Sequence, residues 1–337
     1  MISAQAPFYS PSPEEKGKLL LKWFAENFDG LGMESQHSLG KLSHYCVSFF
    51  NNEKNGPQLA GHGSDRHRDK ATIKGVCEWI ERKVAKQYFD NNSSILFSRF
   101  SDNFKMILKP STFRTTNGWA VHFDADLSRE KAYEEALERH ILIASYLKSG
   151  WTGFKLIDEQ KVDGRRIYSI VSRYSCMGYR SGMVILKDDV FPGICFGYLC
   201  DKENKILVSP KWEHALFEAL NFSERIKMDK NKSYDGEINP IASAIKDWLY
   251  TSWDTSNFAS QTDATLELPE IDPFVLNYPV KNVLGVDLGI YATHVFGGGL
   301  IPLFFPKHLT PQNKTELILV LKNIGAEINE TLRLPVV

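Results

Sequence analysis

Apolar residues recur at helical spacing in several stretches of the chain. Leu19, Leu20, Trp23, Phe24 and Phe28 form one stripe, preceded by Ser12-Pro13-Glu14-Glu15. That tetrad reads as a capped start: Ser12 at the cap, Pro13 in the first turn and Glu15 completing a capping box. The predicted helix runs to Phe28 and stops at Asp29-Gly30, with a turn at Gly30-Leu31-Gly32. A second helical stripe, Ile73, Val76, Cys77, Ile80 and Val84, predicts a long helix over residues 69–89. Further helices are predicted over 128–148, ending at Gly150, and over 210–226.

Between them lie runs rich in β-forming residues: 43–50, 95–108, 154–157, 167–174, 182–185 and 194–199. The segment 51–57 reads as a hairpin turn and 110–118 as a loop. Residues 227–240 are polar and read as loop or disordered chain. A fourth helix is expected over 241–253, a weakly structured connection over 255–273, and β structure again within 280–305. No linker divides the chain, so the pattern predicts an α/β (α+β) protein in which strands alternate with three longer helices. The helix entries suggest a degenerate internal repeat. Residues 1–60 would supply an N-terminal helix and strands, and 61–337 the main core, in one continuous domain.

Length and composition narrow the possibilities. The 337 residues are 43% hydrophobic and 24% charged, the balance of a globular protein. A net charge of −1, from 40 basic and 41 acidic residues, gives no electrostatic footprint for nucleic acid or an anionic membrane. The longest apolar runs are too short to span a bilayer. Five cysteines without a C-x-x-C pair argue against both a zinc site and a disulfide framework. Cys195 and Cys200 read as buried small apolar residues. With no signal region at the N-terminus, a cytoplasmic location is expected. His37, His44, His62 and His67 lack metal spacing and are expected to face solvent. Gly297-Gly298-Gly299 reads as a turn, since no helix start follows it.

The chemistry concentrates in two helices. Glu78 and Glu81, in Gly75-x-x-Glu78-x-x-Glu81-Arg82, lie one turn apart and flank the apolar stripe, which puts them at the rim of the core. Glu135 and Glu138, in Ala132-x-x-Glu135-x-x-Glu138-Arg139, repeat the spacing. A lone Glu-x-x-Glu-Arg is ordinarily a solvated charged face. Two such helices side by side would bring four carboxylates together. Like charges ~4 Å apart repel by about 4 kcal/mol at an effective dielectric near 20. A cluster of that kind needs cations, and ligands that are all oxygen select hard ions such as Mg²⁺. Arg82 and Arg139 would reach phosphate groups. The pattern points to a nucleoside triphosphate held through metal ions, without a P-loop.

The surroundings of the two helices resemble those of the YcaO family. Residues 117–140, N-G-W-A, a short loop, then A-x-x-E-x-x-E-R, are similar to that family's pattern without a gap. Gly61-His62-Gly63 and the helix after it are similar to its earlier motif, and His294-Val295 with 297–303 to its late segment. The resemblance implies a YcaO-like fold with mixed sheets and three long helices, and ATP and Mg²⁺ as cofactors. It implies Mg²⁺ ligation by Glu78, Glu81, Glu135 and Glu138, and nucleotide contacts at Gly75, Arg82, Asn117 and Arg139. The implied activity is phosphorylation of a backbone amide oxygen in a ribosomally synthesised precursor peptide, most simply a cyclodehydration that forms azoline rings. A leader-peptide-binding partner protein, a flavin dehydrogenase and a hetero-oligomeric or homodimeric assembly follow from the same resemblance, with 300–305 as a candidate contact.

Some positions depart from the family pattern. Gly75 stands where the family has Ser, and Phe123 and Leu127 where polar or acidic residues are usual. Glu218 and Phe222 stand where an Arg/Lys-x-x-x-Glu pair is expected, and the C-terminal tail is reduced to Leu334-Pro335-Val336-Val337. These departures suit an alternative: a catalytically degenerate scaffold subunit.

Overall fold

The computed structural model describes residues 12–51, 59–91, 95–108, 116–188, 194–228, 258–260, 263–302 and 309–327. Of the hairpin turn expected at 51–57, Asn51 ends a strand and the rest lies outside them, as do the expected fourth helix and the C-terminal tail.

Helix α1 (Pro13–Asn27) begins as its sequence prescribes, with Ser12 and Glu15 forming both bonds of the capping box. Strands β1 (Gly30–Leu39), β2 (Leu42–Asn51) and β3 (Ala60–Asp65) then build a three-stranded antiparallel sheet in that order. The turn expected at Gly30-Leu31-Gly32 is therefore the start of a strand. Its ten residues pair in unbroken register with β2, and tertiary pairing overrides the local glycine signal.

Helix α2 (Arg68–Asn91) carries the first glutamate pair. Strands β4 (Ile95–Arg99), β5 (Lys105–Leu108) and β6 (Trp119–His122) precede helix α3 (Ala125–Ser149), which carries the second. Asp124 caps α3 through bonds from the backbone of Asp126 and Leu127, so the helix starts earlier than its apolar stripe predicts. Strands β7 (Phe154–Val162), β8 (Arg165–Cys176), β9 (Tyr179–Asp188) and β10 (Ile194–Lys202) follow as an antiparallel meander before helix α4 (Lys211–Met228). The two-residue strand β11 (Leu266–Glu267) adds to β8 in parallel.

Strands β12 (Phe274–Tyr278) and β13 (Tyr291–Phe296) complete a sheet of order β5-β4-β12-β13-β6. Part of the region expected to be β-rich is instead the short helix α5 (Lys281–Leu284). Helix α6 (Pro311–Asn323) closes the described chain.

Three apolar clusters hold the layers together. α2 packs with α1 and the β12–β13 region through Val76, Trp79, Ile80, Val84 and Tyr88. α3 lies between the β13–β6 edge and one face of the β7–β10 meander through Leu137, Ile141 and Ile143. α4 covers the other face of the meander through Ala215, Phe217 and Leu220. Cys195 and Cys200 are buried, as expected. His44 is not exposed: it is buried and stacked on Phe217, 4.6 Å between ring centroids. Leu300 and Ile301, expected on an exposed contact segment, are also buried, and residues 303–305 lie outside the described chain. Among the described residues no helix is long and apolar enough to cross a membrane.

Candidate active site

The site begins with glycines that let a strand touch a helix. A Cβ on Gly61 would lie 2.2 Å from the carbonyl oxygen of Gly75, and one on Gly63 only 1.9 Å from that of Ala71. Only glycine permits this approach of β3 to α2. It brings the backbone N–H of His62 to donate to Glu78 Oε2 at 2.7 Å. Glu78 Oε1 accepts from Arg82 one turn on. Gly75 is thus buried beneath Phe49 and Gly63. A Cβ there would lie 3.2 Å from the Phe49 ring and 3.3 Å from Gly63 N, so a serine at this position would require Phe49 to shift slightly.

The α4 junction is built in the same way. A Cβ on Gly197 of β10 would lie 1.8 Å from the carbonyl oxygen of Ala215, three residues before Glu218. The N–H of Tyr198 then donates to Glu218 Oε2 at 3.3 Å, as that of His62 does to Glu78. At α3 the glycine is Gly118, at φ +75°, with its carbonyl accepting from Val295 N at 2.8 Å. Asn117 is half-buried beside it, and its backbone meets the buried ring of His294.

Glu78, Glu81, Glu135 and Glu138 are all half-buried, at the rim of the core. Their carboxyls act on one another. Burial pushes Glu81 well above the usual carboxylate range, and Glu135 and Glu78 push it further, against Arg82. Glu135 is pushed up to about 8 by burial, opposed by Arg139 and reinforced by Glu138, Glu78 and Glu218. Glu138 is pushed up to about 7, again by burial first, with Arg139, His214 and Lys211 opposing and Glu218 adding. Arg139 lies 3.3 Å from Glu138 and over the ring of Tyr198 at 4.4 Å, and these surroundings hold its charge against burial.

Glu218 is the residue whose place the linear pattern missed. Burial would raise its carboxyl, but His214 at 3.2 Å, Arg139 and the Tyr198 N–H outweigh that and hold it low. The signal available in the sequence was a glycine strand facing a helix with a small residue three before a glutamate, as at Gly75/Glu78. The acid after Glu78 has no counterpart on α4: Asn221 stands there, donating to Ser64 Oγ at 3.3 Å.

α2, α3 and α4 therefore aim carboxylates at a shared region with few cations to balance them. Among the described residues no three His, Cys, Asp or Glu side chains are gathered tightly enough to hold a metal ion as they stand. The donor set nevertheless fits hard cations: it is all carboxylate oxygen, and burial together with neighbouring acids raises its carboxyls, which a bound cation would offset.

No family model and no curated protein matches the sequence. Among solved structures, the chain is similar to YcaO from Methanopyrus kandleri bound with AMPPCP and Mg²⁺, with TM-score 0.54 and 11% identity over 86% of this chain and 91% of that one. It is similar to a heterocyclase in complex with substrate and cofactor, with TM-score 0.59 and 11% identity over 95% of this chain, which spans 56% of the heterocyclase. It also resembles a chain of the E. coli microcin synthetase McbBCD complex with pro-MccB17 bound, with TM-score 0.55 and 11% identity over 83% and 91%. The mixed sheets and long helices described above are the YcaO-like fold.

Proposed function

We propose that the chain is an ATP- and Mg²⁺-dependent enzyme of the YcaO type that activates backbone amides in a ribosomally synthesised peptide. Its reaction would be cyclodehydration of Cys, Ser or Thr residues to azoline rings within a synthetase complex. One feature carries this reading: α2 and α3 bring Glu78 and Glu81 near enough to Glu135 to act on its charge at the buried rim of the core, where burial already disfavours carboxylates, a cost that a scaffold has no reason to bear. The neighbour that holds AMPPCP and Mg²⁺ supports the cofactors, and the McbBCD neighbour supports a complex with a partner protein and a precursor peptide.

Mg²⁺ would neutralise the charge of the triphosphate during phosphoryl transfer. Glu78, Glu81, Glu135 and Glu138 are the residues that would hold it, with Glu78 oriented by the His62 N–H and Arg82. Arg139, fixed between Glu138 and Tyr198, would face the phosphates. In that reaction the Cys, Ser or Thr side chain would lose its proton as it adds to the peptide carbonyl, and the carbonyl oxygen would take the γ-phosphoryl group with release of ADP. Loss of phosphate and of the amide proton then leaves the C=N bond of the ring.

A second reading, a degenerate scaffold subunit, draws on α4. Phe222 packs into the apolar cluster there instead of offering a charge, and Asn221 replaces a second acid. Calorimetric titration with Mg-ATP, repeated with ATP in EDTA, separates the two. Binding that requires the metal supports the enzyme, whereas no heat with either sets it aside in favour of the scaffold.

A further inference from the structure

The far end of the β7–β10 meander carries a second charged site, opposite in sign to the carboxylate cluster. On β8, Tyr168, Ile170 and Tyr174 face α3, whereas Ile167 and Val171 face α4. Alternation puts Arg173 on the α4 face. On β9 a Cβ at Gly182 would meet Trp212 of α4, so Arg180, two residues earlier, shares that face. Lys155 lies between Phe154 and Leu156, both packed toward α3, and so joins them from β7. Lys155 pairs with Val171, and Val171 with Gly182, which places the three cations on adjacent strands within two residues of one line.

The two arginines have few acids near them. Arg180 is 7% exposed, yet its Nε and Nη2 both donate to the carbonyl oxygen of Ser172. No carboxylate among the described residues lies within ion-pair distance of it, and Glu203 acts on it only from farther away. Arg173 donates to the carbonyl oxygen of Thr152 at 3.2 Å, and its Nε is buried with no partner. The carboxylate of Asp263 reaches Arg173 only at 3.9 Å. Lys155 donates to the Asp263 carbonyl oxygen; burial, then Arg180 and Arg173, press its charge downward, while the Asp263 carboxylate supports it. Buried guanidinium groups are ordinarily paired with acids, because a carbonyl dipole does not replace a counter-ion.

We propose that Arg173 and Arg180, flanked by Lys155, form a binding site for an oxyanion of the phosphate or carboxylate type. The contacts to Ser172 and Thr152 leave one terminal nitrogen of each guanidinium, Nη1 of Arg180 and Nη2 of Arg173, to donate to the oxygens of such a group, and burial strengthens a charged contact. The site is separate from the carboxylate cluster: the main charges acting on Glu81, Glu135, Glu138 and Glu218 include none of Arg173, Arg180 and Lys155. Its ligand is either free phosphate or an acidic side chain of a bound peptide.

Equilibrium dialysis of the full chain against labelled inorganic phosphate tests this, in EDTA so that the glutamate cluster has no cation with which to retain anions. A parallel arm uses a capped triglutamate peptide. The expected result is one equivalent of one probe bound, with affinity at least tenfold weaker in Arg173→Gln and Arg180→Gln and unchanged in Glu135→Gln. Whichever probe binds identifies the source. Should Arg180→Gln fail to fold, Arg173→Gln, whose side chain is 22% exposed, keeps the measurement decisive. Retention of neither probe, or equal retention by wild type and Arg173→Gln, overturns the proposal.

Discussion

The α2 and α4 junctions are made by one device and finished differently. In each, a strand glycine meets a helix carbonyl, and the next N–H holds a glutamate three residues along. After Glu78 the helix continues with Glu81 and Arg82, whereas after Glu218 it continues with Asn221 and Phe222. Glu218 sits beside His214 and Arg139 and is held low, while Glu81 is pushed high by burial and then by the acids Glu135 and Glu78. The close strand–helix approach thus sets where a carboxylate stands. The neighbouring side chains decide whether it wants a proton, a guanidinium or a metal ion.

The largest effect should come from breaking the device itself. Gly63→Val would drive a side chain into the carbonyl of Ala71, where Cβ has only 1.9 Å. A loss on the order of 4 kcal/mol is expected, in the range reserved for severe core disruption. Thermal denaturation should show the chain largely unfolded, and a native-like midpoint would refute the glycine argument.

A smaller effect separates the two acids by pH. Folding raises Glu135 to about 8 and Glu138 to about 7 from an ordinary 4.5, so the native state binds more protons than the unfolded state across that window. Stability without metal should therefore fall as pH rises from 4.5 toward 8. Added Mg²⁺ should restore the melting temperature at pH 8 and change little at pH 5. Glu135→Gln should flatten the pH slope, raise the melting temperature at pH 8 and abolish ATP turnover. A steep slope that survives this change would remove Glu135 from the cluster.

Glu218→Gln should have the smallest effect. Its carboxylate is 43% exposed, so solvent screens its pairing with His214, and the loss should stay under ~1 kcal/mol. Its metal-free stability should also move opposite to that of Glu135→Gln. A gain in stability would mean that Glu218 belongs with the crowded acids.

Much of this was legible beforehand. The capping box at Ser12, the α2 stripe and the rim position of Glu78 and Glu81 follow from periodicity alone, because helix geometry is local. β1, β3, β6 and β12 were missed. Each is short or glycine-bearing and acquires its identity from a partner distant in sequence: β12, for example, pairs with β13 and β4. The burial of His44 was likewise invisible, since it depends on Phe217 arriving from another layer.

The sequence by itself determined that two helices would carry carboxylates paired at the same spacing, the first pair on the flank of an apolar stripe, since residue spacing on a helix is a local property. Only the tertiary structure decided which carboxylates share a region. It brought in Glu218 from a third helix, turned Gly61, Gly63 and Gly75 into packing contacts, and placed Arg173 and Arg180 on the opposite face of the meander. Charge interactions depend on distance and burial, and both are fixed by the packing of layers that spacing along the chain does not encode.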